Sequence, residues 1–149
     1  MKKIYFLTKI LLIYFSFFSI SNAAKSSYFE QGKKLFDKKE FNNSKFFFEK
    51  DIVFNPRSEK SYLYLAKIFN KDDNDLEQEI NLQNVLLLNP KNDEAIYMFA
   101  LLKIKQSDYD KAKELIERFD LVCVSFCGKK KEIKEKFNKL TPENGKDKN

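Results

Sequence analysis

From Phe47 to Phe69 the chain reads FFEKDIVFNPRSEKSYLYLAKIF, an apolar run, a polar turn and a second apolar run; from Asn81 to Lys103 the pattern returns as NLQNVLLLNPKNDEAIYMFALLK. The period is 34 residues, and Asn55-Pro56 and Asn89-Pro90 fall at the same phase. Proline lacks the amide that would continue a helix, so each Asn-Pro closes one apolar helix and opens the next after a short turn. Within the runs, apolar residues recur at spacings of three and four rather than two, which predicts helices packed along one stripe and not strands.

Laid out at that period, the first repeat runs from 25 to 58. A helix near Ser27 to Asp37 sets Tyr28, Gly32 and Leu35 on one side, and a second from Phe41 to Phe54 sets Phe41, Ser44 and Phe48. The second repeat, 59–92, has Tyr62, Leu65, Ala66 and Phe69, then Leu82, Val85 and Pro90. Lys71 to Asp75 stands there in place of a turn and an aromatic, and Gln78 where a small residue belongs, so its second helix is expected to start a residue or two out of phase. The third repeat, 93–126, sets Ile96, Phe99 and Ala100, then Tyr109, Ala112 and Ile116, with Ser107-Asp108 placed to cap the second helix. After the uncharged LVCVSFC of 121–127 and Gly128, KKKEIKEKFNKL predicts an amphipathic helix over 128–140 with Ile133, Phe137 and Leu140 on its apolar side. A repeat stack leaves its last apolar face bare, and a charged helix with one apolar stripe is what a cap requires. Residues 141–149 read as a polar tail.

Large residues followed four later by a small one, then an aromatic, a small residue and an aromatic or aliphatic, are the pattern by which the chain resembles the tetratricopeptide repeat family. That resemblance implies an all-α fold of about three helical hairpins, 24–127, in a short right-handed superhelix closed by the C-terminal capping helix. It also implies a groove lined by the fifth, ninth and twelfth position of each repeat. Here these are Phe29, Lys33 and Phe36, then Leu63, Lys67 and Asn70, then Tyr97, Leu101 and Ile104. Phe29, Leu63 and Tyr97 would form an apolar ladder with Lys33 and Lys67 beside it, suited to a peptide with spaced apolar anchors and an acidic group. The family's asparagine-rich carboxylate clamp is not evident. Asp51 departs from the pattern, standing where alanine is preferred.

Composition changes the picture mainly by exclusion. Histidine is absent, which removes the usual general base, metal ligand and neutral-pH switch together. No nucleophile with its base, no phosphate-cradling glycine loop and no paired-carboxylate motif stands in the chain, so a non-catalytic role without cofactor or metal is expected. The acids from Asp72 to Asp75 lack the central glycine and distal glutamate of a calcium loop and read as a polar turn. The net charge of +6 comes from the ends: residues 1–23 hold three lysines and no acid, and residues 128–149 eight lysines and four acids. The body between is nearly neutral, which argues against nucleic acid; the lysine-rich tail reads as solvated, with acidic surfaces or lipid head groups as the weaker alternative, and a protein or peptide partner is what the resemblance implies.

The first 23 residues have the form of an export signal: Lys2, Lys3 and Lys9, an uncharged run from Ile10 to Ile20, and Ser21-Asn22-Ala23 before a cut expected after Ala23. The run is 11 residues long, short of the roughly 20 that span a bilayer, although an uncleaved membrane anchor is the alternative. With abundant Lys, Asn, Ile and Phe and no Trp, the expectation is an exported bacterial protein of the periplasm or envelope. Export would place Cys123 and Cys127 where thiols pair. Four apart on one helix, their alpha carbons lie within disulfide range, but the helix must loosen to aim the sulfurs. A structural bridge is the first reading; buried free thiols and a small redox partner remain open beside it.

Overall fold

The computed structural model describes residues 25–141; the expected export signal and the stretch beyond Thr141 lie outside them. The described residues form seven α-helices and no strand. They are α1 (Lys25–Asp37), α2 (Phe41–Phe54), α3 (Glu59–Lys71), α4 (Asp75–Leu88), α5 (Asp93–Lys105), α6 (Tyr109–Val122) and α7 (Lys130–Leu140), with a short 3-10 turn at Cys127–Lys129 before α7. The all-α hairpin fold expected from the 34-residue period is therefore present, with a C-terminal helix after the last hairpin. No described helix is long and apolar enough to cross a membrane.

Two compact units divide between Pro56 and Arg57. In the first, α1 and α2 pack as one hairpin through Gly32. A β-carbon added there would stand 2.8 Å from the ring of Phe48, which is fully buried. The small residue is what lets the two helices come this close, and Ser44 Oγ uses the approach to donate a hydrogen bond of 2.8 Å to the Gly32 carbonyl. Asp51, at the position where alanine was expected, is buried. Phe46 is exposed, since three successive phenylalanines turn through about 200° and one must leave the core side.

The second unit holds the α3/α4 and α5/α6 hairpins and α7. Its core takes Ala66, Leu82, Val85, Ile96, Phe99, Ala100, Ala112, Ile116 and Ile133 from the predicted stripes and adds Leu115 and Phe119, all buried together. The second helix of the middle repeat starts at Asp75, in phase with Phe41 and Tyr109, so the expected shift is absent. Asn74 explains this: its side chain accepts from the Glu77 amide, and Asp75 and Glu77 place negative charge in the first turn. Asp108 caps α6 in the same way through the Lys111 amide. Every hairpin turn passes through a left-handed residue, Lys39, Asp73 and Ser107, again 34 apart. None of them is glycine.

The Asn-Pro corner also has a polar purpose. Asn89 and Asn92 both donate to Glu59 Oε1, at 2.9 and 2.6 Å, tying the turn before α5 back to the first residue of α3. Arg118 reaches from α6 to the Pro90 carbonyl of the same corner.

Candidate functional site

On α3 the residues Lys60, Tyr64, Lys67 and Lys71 recur at spacings of four, three and four, hence on one stripe. On α5, Glu94, Met98, Leu101 and Lys105 have the same spacing. The two stripes are joined by the Lys67–Glu94 ion pair at 2.8 Å. Lys67 also lies 4.8 Å from the centre of the Tyr64 ring, a cation–π distance. Tyr64, Met98 and Leu101 are half-buried, and Lys60, Lys71 and Lys105 exposed. The result is a face with apolar ground and a cationic border.

The expected groove residues divide against this face. Lys67 and Leu101 lie on the stripes, and Asn70 is exposed at the end of α3. Leu63 and Ile104 are packed into the core at 9% and 6% exposure. Tyr97, at 7% exposure, lies under α7: its ring is 5.8 Å from Phe119 and 5.9 Å from Phe126, and its hydroxyl donates to Glu132 Oε1 at 2.8 Å. In the first unit, Phe29 is half-buried against Phe48, Phe36 meets Phe41 edge to face, and Lys33 pairs with Asp37 at 2.7 Å. Tyr64 and Met98 each stand one residue, about 100° round the helix, beyond Leu63 and Tyr97, which turn into the core.

Two of the acids at the start of α4, Asp73 and Asp75, are engaged within the chain. Lys105 binds Asp73 and Asp75 at 2.6 Å each, and the first cause of the lowered Asp73 pKa is the hydrogen bond from Lys105. Among the described residues no group of three or more potential ligands could hold a metal ion.

Beside Tyr97 the chain closes on itself. α6 ends at Val122, and Cys123 and Cys127 form a disulfide across the turn that follows, with alpha carbons 5.3 Å apart. The bridge thus spans a loop, where the sulfurs can be aimed, and not a loosened helix. The loop turns the amides of Val124, Ser125 and Phe126 onto Asp93 Oδ2 at 2.8, 2.6 and 2.8 Å. Desolvation pushes the Asp93 carboxyl up, but the amides of Phe126, Val124, Ser125 and Glu94 together hold it below its usual value. Glu132 is held down to about 2, first by Lys129 and then by the Tyr97 hydroxyl, while burial and then Glu132 raise the Tyr97 phenol to about 12. α7 docks through Ile133, which is fully buried, and Phe137; Leu140, expected on the same stripe, is exposed.

Three depressed carboxyls, Asp73, Asp93 and Glu132, set a pH dependence. Their contribution is present above the ordinary carboxyl range and is lost as pH falls through their folded values, toward about 2 for Glu132. The urea midpoint should therefore fall between pH 6 and pH 2.5, and the fall should be smaller in Glu132→Gln, which lacks that titration.

No protein-family model and no curated protein matches the sequence. Solved structures do match in fold. The first tetratricopeptide-repeat domain of Spaghetti (RPAP3), bound to the HSP90 peptide SRMEEVD, aligns with a TM-score of 0.69 at 15% identity, over 78% of this chain and 92% of that one. The TPR2B domain of yeast Sti1 in its pHsp70 complex aligns at 0.69 and 18%, over 80% and 97%. The Sgt2 domain from Aspergillus fumigatus aligns at 0.69 and 14%, over 86% and 87%.

Proposed function

We propose, from the premise that this chain has the tetratricopeptide-repeat fold, that it is a non-catalytic scaffold holding a protein or peptide against the paired stripes of α3 and α5. The observation that carries the reading is the joined face of Tyr64, Met98 and Leu101 bordered by the exposed Lys60 and Lys71. Half-buried apolar side chains supply contact area, and the surrounding lysines select for acid. A peptide with an apolar anchor and neighbouring carboxylates fits that chemistry. The HSP90 peptide held by the Spaghetti domain, SRMEEVD, is of this type. We place the chain in a bacterial envelope, on the strength of the export-type pattern of residues 1–23.

Lys60→Glu with Lys71→Glu tests the face. Both lysines are exposed, so the thermal midpoint should stay within about 2 °C of the parent. Capture of the partner from envelope extracts should fall by about tenfold or more. Undiminished capture would remove this face. An intact mass beginning at Ala24 would support export with cleavage; an uncleaved chain in the membrane fraction would favour a tethered scaffold.

A further inference from the structure

The outer side of α4 carries a second pattern. Gln78, Asn81, Leu82 and Val85 face the core. Opposite them Leu76, Ile80, Gln83 and Leu87 stand at spacings of four, three and four, within a sector of about 60°. Leu76 is 69% exposed, Ile80 42% and Leu87 79%, and Gln83 is exposed as well. Scattered exposed leucines are ordinary, but an aligned row along most of a 14-residue helix is a seam. Nothing in the core requires it, because the core side of α4 is already filled.

The row has a symmetry that selects its occupant. Read from its midpoint between Asn81 and Leu82, Leu76 mirrors Leu87 and Ile80 mirrors Gln83. Four residues further out, Asp72 mirrors Lys91, one in the turn before the helix and one in the turn after it. Both are exposed. We propose that this face is an interface between two copies of the chain, α4 lying antiparallel to α4 of a second copy. In that register Leu76 meets Leu87 of the other copy, Ile80 meets the stem of Gln83, and Asp72 at each end meets Lys91.

A parallel pairing would instead set Asp72 against Asp72 and Lys91 against Lys91. The charges at the two ends therefore specify direction. A 14-residue helix is only about 21 Å long, so the seam is small and the dimer is a weak, exchanging one. It would leave the α3/α5 stripes on other helices of the same unit, giving a scaffold with two holding faces. The inference stands on α4 alone and does not depend on what those stripes bind.

The test uses the full chain in the cells that express it. A photo-cross-linking amino acid in place of Leu87 should give a product of twice the chain mass, joined within one turn of residue 76 of the second copy. The same amino acid in place of Glu117, exposed on α6, should give none. Asp72→Lys alone and Lys91→Asp alone should each reduce the product by about threefold or more, and the two together should restore it. No dimer product, a product joined to a different protein, or single and double variants that behave alike would each overturn the proposal.

Discussion

Gly32→Val is expected to destabilise the first hairpin by about 3 kcal/mol or more. Even one methyl at this position would sit 2.8 Å from Phe48 Cδ1 and Cε1. Phe48 is fully buried, so its ring has no open space to take up, and α1 would have to lift from α2. Lifting also stretches the Ser44 hydroxyl away from the Gly32 carbonyl. Against this, leaving glycine in a helix interior costs roughly 1 kcal/mol relative to alanine. The balance predicts an order: Gly32→Ala loses up to about 2 kcal/mol, and Val, with two more carbons in the same gap, loses more. Urea unfolding followed by helical circular dichroism measures both. A valine variant as stable as the parent would mean that close helix approach is not what holds this hairpin.

Asp93→Ala is expected to cost the second unit about 2–4 kcal/mol. Three consecutive amides would lose their common acceptor, and hydrogen bonds to a charged group are the stronger kind. The loop of 123–127 would then be held by its disulfide and by the packing of Phe126 on Tyr97. The five-residue ring contributes only about 2 kcal/mol by loop-closure entropy, and it constrains the loop without orienting it toward α5. The account therefore predicts coupling: once Asp93 is gone, replacing both cysteines by alanine should cost less than it does in the parent, because the ring would be holding a loop that docks less firmly. Equal costs in the two backgrounds would show the carboxylate and the bridge to be independent.

Local signals made most of the fold legible. The Asn-Pro pairs mark the period, and alternating large and small residues such as Phe99 and Ala100 mark the side that must be hidden. What misled was local as well. The missing aromatic at Asp75 suggested a displaced helix, but Asn74 supplies the start by hydrogen bonding, and a cap needs no bulk. The left-handed residues Lys39, Asp73 and Ser107 repeat with the period yet carry no glycine to announce them.

The site was harder to read because its outcome depends on partners distant in sequence. Tyr97 occupies a groove position by count, but Glu132, 35 residues away, claims its hydroxyl, and Phe126 covers its ring. Asp93 looks like an ordinary first-turn acid until the loop of 123–127 folds back on it. Neither fact has a local signature. Lys67 and Leu101, at the repeat positions the resemblance points to, are half-buried and lie on the α3 and α5 stripes.

Hydrogen exchange of the chain with and without its captured partner tests most directly whether it works by holding. The account predicts added protection in Glu59–Lys71 and Asp93–Lys105, with α6 unchanged. Protection confined to α6 and α7, with none on α3 or α5, would contradict it.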